Sequence, residues 1–320
     1  MDVRSAPVAL FLVALGACSA ARSDAPGAPV AHLPAAVWCV FQDAHGDHWF
    51  GSNGEGVFRF DGTRLARFTA LDGLHSDRIR QIVEDGSGHV LVQTLDGIGW
   101  FDGRMFVPLL ARDDGAWMLE PGDLWFAGDD GPYRYDGTTL HRLTFPEHEL
   151  EGAYRDLFPD VPHSPYSVYT VYRDRSGAVW FGTAALGACR FDGRSFTWVS
   201  GEELTEIHDG PSLGVRGILE DRDDRFWIAN TIYRYDVPPA DGTAAPGYKR
   251  ERNPAAPDAG YEAPNAEFLS ALRDARGDVW LATFEDRVWR HDGAGWAQYP
   301  LQDGTTDVRA ITVYEDTSGV

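Results

Sequence analysis

The stretch WFGSNGEGVFRFDG, from Trp49 to Gly62, decides the fold, because the chain rewrites it five more times. It reads as an aromatic strand, a Gly/Asn turn, an alternating strand and an Asp-Gly stop. The stop recurs at 101–103 (FDG), 135–137 (YDG), 191–193 (FDG), 235–237 (YDV) and 291–293 (HDG). Trp49, Leu91, Trp125, Trp180, Trp227 and Trp280 precede Asp61, Asp102, Asp136, Asp192, Asp236 and Asp292 by 12, 11, 11, 12, 9 and 12 residues. A fixed internal spacing between linkers of variable length marks a repeated supersecondary unit.

Upstream of this stretch most copies carry an alternating strand that closes on an acidic residue: WCVFQD, IRQIVED, YTVYRD, VRGILED and FLSALRD. In these five the interval from the closing Asp (43, 85, 174, 221, 274) to the Trp or Leu is six residues, usually with Gly three after the Asp. Asp accepts local backbone N–H bonds and Gly tolerates positive φ, so a tight turn is expected there. Copy three, AWMLEPGDLWFAG, shortens that turn through Pro121-Gly122. Downstream lie final strands such as RLARFTAL, RMFVPLL, TLHRLTF, RSFTWVS and GWAQYPL. Each copy therefore reads as four short antiparallel strands. Four-stranded units recurring about every 40 residues predict an all-β fold, a β-propeller whose blades pack through one large aromatic each.

The pattern V-x-x-I-x-E-D-x-x-G-x-L-W-F-G-T followed by Y-R-F-D-G resembles the two-component regulator propeller repeat. IRQIVEDGSGHVLVQTLDGIGWFDG and YTVYRDRSGAVWFGTAALGACRFDG carry it best, and LDGLHSDRIRQIVED resembles the family's connector. The resemblance covers residues 37–320 and implies a periplasmic ligand-binding sensor domain. It does not specify a ligand, and the chain carries no kinase sequence. VRAITVYEDTSGV, 308–320, repeats the opening strand and turn of a seventh copy. Six full blades plus the start of a seventh are thus expected, as a fragment of a seven-bladed ring; the alternative is a substitute strand packed on a six-bladed one.

The N-terminus places the chain outside the cytoplasm. Arg4 precedes an apolar run, 6–14, too short to span a bilayer and suited to a signal-peptide core. Leu15-Gly16-Ala17-Cys18 resembles a bacterial lipobox, which makes 1–17 a signal peptide and Cys18 the lipidated residue, with Ser19 matching an outer-membrane sorting position. An ordinary secretory signal is the alternative. Residues 18–36, rich in Ala, Pro and Ser, read as a disordered tether, and 37–320 as the propeller. Contact with the membrane is expected only through the lipid. Cys39 and Cys189 fall in distant copies, so no disulfide is expected. The balance of 28 basic against 49 acidic residues, −21 in all, repels phosphate backbones and argues against a nucleic-acid role.

Function is expected where the repeat is irregular. Three connectors are long, 145–167, 200–214 and 237–267, and they share a propeller face with the turns between second and third strands. The first carries Glu147, Glu149, Glu151, Tyr154 and His163, with a short helix predicted near 149–158. The second carries Glu203, Glu206 and His208; the third, with GYKRERNP inside it, reads as a flap. Long loops on a rigid scaffold are where binding usually resides. Asn53, Glu55, Gln93, Asn230 and Glu285 on the turns, with Tyr166, Arg216 and Asn265 at inner-strand entrances, are the candidate ligand-binding residues. The ligand would be a small molecule, glycan or peptide, or the partner another envelope protein.

No catalytic residue, metal site or cofactor is assigned. The ten His residues show no H-x-H or H-x-x-x-H spacing, and the sequence has no Gly-rich phosphate loop. The reading is a non-catalytic binding or sensing module. Its alternatives are a propeller lyase or hydrolase acting on a glycan or cyclic peptide, using His163 and His208, and a structural lipoprotein of envelope assembly.

Overall fold

The computed structural model describes residues 26–157, 163–200, 214–229, 233–237, 248–252, 268–283, 287–303 and 306–320. Six sheets follow one another along the chain, each of four strands, with one further short strand on the first. In blade one, Val37–Gln42, His48–Ser52, Val57–Phe60 and Leu65–Phe68 run antiparallel from the inner to the outer edge. Blades two (79–109), four (168–199), five (218–252) and six (268–300) repeat this order. The inner strands of blades one and two, four and five, and five and six touch, so the sheets stand side by side around an axis as a β-propeller.

The repeated residues explain why each copy folds alike. The closing Asp spans its turn: Asp43 Oδ1 accepts from the amides of His45 and Asp47, and Asp274 Oδ1 from those of Arg276 and Asp278. The other carboxylate oxygen takes the indole N–H six residues on, at 2.8, 3.1, 2.8 and 3.0 Å in blades one, four, five and six. One side chain thus ties turn to core, which is why the six-residue interval is constant. Gly46, Gly88, Gly177 and Gly277 take φ between 84 and 90°; blade five places Asp224 there at 60°. At the stop, Asp61, Asp102, Asp136, Asp192 and Asp292 each accept two amides from the residues that follow, closing the turn to the outer strand. The Arg two residues before the stop is a further recurring part. Arg59, Arg134, Arg190, Arg234 and Arg290 all pair with an Asp at or near the inner turn. Trp49, Leu91, Trp125, Trp180 and Trp227 are buried between blades, as expected of packing residues.

Four details correct the sequence reading. First, the tether joins the propeller before residue 37: Ala28–Pro29 pairs with the outer strand of blade one, and Arg64 donates to the carbonyls of Pro26 and Gly27. An outer edge offers unpaired backbone groups that even two residues cover. Second, blade three has no inner strand from AWML. Its sheet is Leu124–Phe126, Tyr133–Tyr135 and Leu140–Arg142, with Ala111–Arg112 added parallel on the outside. The indole of Trp117 instead packs against Trp125, Phe145, Phe181, Phe191 and Phe196 between blades three and four. Burial of so large a ring outweighs a short strand ladder. Third, KRER, read as part of a flap, is the fourth strand of blade five, Lys249–Arg252 paired with Tyr233–Asp236. Fourth, the first long connector belongs to the core as well as the surface. Its helix, Leu150–Leu157, is held by Tyr166, whose hydroxyl donates to Glu151 and accepts from the His148 amide.

The opening of the seventh copy lies between blades six and one. Glu315 accepts from the Ala275 amide at 2.9 Å, as Glu84 does from Ala44 and Glu220 from Arg175 one blade apart. Val313 donates to Ser270, and Thr317 donates to Gln42 of blade one. The repeat register is therefore kept through this segment. Cys39 and Cys189 are free thiols. Burial pushes Cys39 up to about 12 and Cys189 well above the usual thiol range.

Candidate functional site

The inner strands of blades one, two, four and six share one irregularity near their entrances. A register shift falls between Val37 and Cys39, Ile79 and Gln81, Val168 and Thr170, and Phe268 and Ser270. The extra residues are Trp38, Arg80, Tyr169 and Leu269, each five before its closing Asp; Arg216 holds the same place in blade five. A bulge of this kind re-aims a side chain without ending the strand. Trp38 and Arg80 are the exposed residues of their strands, and Trp38 keeps 44% of its surface open. The Arg216 guanidinium lies 4.6 Å over the Tyr169 ring. These positions follow the connectors directly, so they ring the mouth of the axial channel on the face of the long insertions.

Blade three contributes no such residue, because its inner strand is missing. The exposed edge of Leu124–Phe126 is covered from both sides instead. Gln81 Nε2 donates to Trp125 O and Gln93 Nε2 to Ala127 O from blade two, while the Val168 amide donates to Gly128 O and Arg173 to Asp123 O from blade four. Side-chain amides stand in for a strand, as backbone acceptors inside a fold must be paired. They fill the gap only in part. A pocket of about 380 Å³ opens between blades two and three, lined by His75, Arg80, Gln93, Asp96, Asp129 and Arg142 over an apolar wall of Ile98, Leu109, Leu140 and Val168. Arg80 belongs to both the mouth and this pocket. Arg142 pairs with Asp113 at 3.5 Å and stacks on Tyr133.

The sequence-predicted residues are spread over the face. Asn53 and Glu55 are exposed on the first turn of blade one, which is pinned by the Gly54 and Gly56 amides to Asp77 O of the connector into blade two. Gln93 is buried at the pocket. Tyr166 is buried as well, stacked on Phe145 with its hydroxyl already engaged, so its part is support. Arg216 stands at the mouth. Asn230, Asn265, Glu285, His208, the second and most of the third insertion, and Cys18 lie outside the described residues. Sequence reasoning missed Trp38, Arg80 and Tyr169; their signal is a count of five back from each closing Asp. Among the described residues no three His, Cys, Asp and Glu side chains converge as a metal site. His148 is held below the ordinary imidazole range by burial, and Nδ1 accepts from the Leu150 amide at the helix start.

Searches found no matching family model and no matching curated relative. Solved structures do match. The extracellular domain of the putative hybrid two-component system BT4673 from B. thetaiotaomicron superposes with a TM-score of 0.59 at 19% identity, over 90% of this chain and 37% of that one. Virginiamycin B lyase from Staphylococcus aureus gives 0.57 at 14% identity, over 84% and 85%. PorZ, a surface component of the type-IX secretion system of Porphyromonas gingivalis, gives 0.54 at 16%, over 80% and 40%. The likeness is one of fold. This chain spans little more than a third of the BT4673 domain.

Proposed function

We propose that this chain is an extracytoplasmic, lipid-anchored propeller that binds a ligand at its axial mouth without transforming it, as a binding or sensing module. The repeated bulge carries this reading. Blade packing alone gives no reason to place Trp38, Arg80, Tyr169 and Arg216 at one register on one face. Aromatic planes beside guanidinium groups suit a ligand with flat or apolar faces and carboxylate or carbonyl oxygens. Such a ligand would be a glycan or a peptide. The extracellular sensor-domain neighbours support an extracytoplasmic site.

The test is an array of glycans and peptides probed with the wild-type chain and with Trp38→Ala and Arg216→Ala. Binding that weakens at least tenfold in both variants at unchanged melting temperature supports the reading. Stable capture of an envelope protein with no small-ligand binding overturns it in favour of an assembly role. Turnover of a cyclic peptide lost in His163→Ala would overturn it in favour of a lyase. Anchoring is tested by radiolabelled fatty-acid incorporation, which Cys18→Ala should abolish.

A further inference from the structure

Gln93 breaks the repeat where the five other copies carry Gly51, Ala127, Gly182, Ala229 and Ala282. Neighbouring chain explains why small residues stand there. A Cβ on Gly51 would come within 2.6 Å of Ile79, and one on Gly182 within 2.4 Å of Val215 O, each at the opening of the next blade's inner strand. After blade two no such strand follows. Gln93 reaches into the space instead, and the pocket occupies the remainder.

The polar inventory of the pocket is unbalanced. Gln93 is 5% exposed; its Nε2 is used on Ala127 O, while its Oε1 has no hydrogen-bond partner among the described residues. A buried acceptor left unpaired is costly and calls for an N–H or O–H donor. Asp96 and Asp129 bring carboxylates to the same space, and Arg80 brings a guanidinium; none of the three side chains makes a hydrogen bond or ion pair among the described residues. The lining thus offers an acceptor and two carboxylates to a cationic donor and a guanidinium to an anion, beside the apolar side chains of Ile98, Leu109, Leu140 and Val168.

We propose that this pocket binds a small zwitterion of the amino-acid or dipeptide class, its ammonium group donating to Gln93 Oε1 and facing Asp96 and Asp129, its carboxylate at Arg80. The ammonium group would satisfy the orphan acceptor and face the two carboxylates, and the carboxylate would face the guanidinium. The inference rests on reading this face as a binding surface, but of the mouth it uses Arg80 alone.

Isothermal titration of the whole chain with each of the twenty amino acids and with Ala-Ala tests it. At least one is expected to saturate a single site, and its N-acetyl and C-amide derivatives to bind at least tenfold more weakly. Gln93→Leu and the exposed-site variant Asp96→Asn should each weaken it at least tenfold; the latter serves if the former fails to fold. Trp38→Ala should leave it unchanged. No saturable binding by any zwitterion overturns the proposal, as does equal binding of the N-acetyl form, which would mean a plain anion site. Loss in Trp38→Ala would also overturn it, by moving the ligand to the mouth and leaving the proposed function standing.

Discussion

Asp174→Ala should be among the most damaging single changes in the propeller. Its Oδ1 accepts from the Ala178 amide and Ser176 Oγ at 3.0 and 2.6 Å, and its Oδ2 from Trp180 Nε1 and Arg190 Nε at 3.1 and 2.9 Å. The two ion-pair side chains are 1% and 4% exposed. Removing one partner of a buried pair leaves the other charge unpaired, at a cost of about 3–5 kcal/mol. The comparison is Asp47→Ala in blade one, which removes an ion pair but no turn or indole hydrogen bond; its partner Arg59 is 30% exposed and also lies over the Trp49 ring. Water and the ring can take over there, so about 1 kcal/mol or less is expected. Urea midpoints at constant m-value give both numbers. Asp174→Ala with Arg190→Met should recover at least half of the loss, since the desolvated guanidinium is then gone. Equal losses in blades one and four, or no recovery in the double variant, would refute the view that burial, rather than the ion pair itself, sets the cost.

The other predictions use the same repeat. Trp125 Nε1 has no partner among the described residues, because copy three lacks the closing Asp, whereas Trp227 Nε1 donates to Asp221 at 2.8 Å. Trp227→Phe should therefore cost about 1–2 kcal/mol more than Trp125→Phe by urea unfolding. Gly51→Val would place atoms against Cys39 Sγ and Ile79, each within 2.6 Å of a Cβ, so about 1–3 kcal/mol of overpacking and a lower melting temperature are expected. Asp102 is held low by the Met105 and Arg104 amides and Asp292 by those of Ala294 and Gly295. Depressed carboxylates contribute stability above the unfolded Asp value of about 3.9 and lose it as pH falls through their folded values, so urea midpoints should fall steeply below about pH 4. Cys189 should resist a thiol reagent until the propeller unfolds, since it is buried with a raised pKa.

Much of the architecture was legible because its causes are local. An Asp that spans its own turn and meets a Trp six residues on writes a fixed interval into the chain, and the Asp-Gly stop does the same for the outer hairpin. The candidate site was legible only in part. Gln93 and Arg216 are proposed from their turn and strand-entrance positions in the repeat, and the helix predicted near 149–158 is present as Leu150–Leu157. Tyr166, a ligand-binding candidate by its strand-entrance position, is buried, and nothing near it in sequence shows that Glu151 and the His148 amide fold back onto its hydroxyl. KRER was read as a flap because long flanking segments hide its pairing with Tyr233–Asp236.

What the sequence determined by itself is the unit: four strands, their order, the inner and outer ends and the number of sheets. These follow from period-two alternation and short-range hydrogen bonds that each copy satisfies alone. What tertiary structure decided is where the unit fails. AWML has strand-like residues, yet Trp117 gains more in the aromatic cluster that blades three and four build together, from rings as far away as Phe196. The lost strand leaves an edge, the edge draws Gln81 and Gln93 across the blade boundary, and the space left over is the pocket. Each step depends on atoms brought together only when the ring is formed, so no local pattern records it.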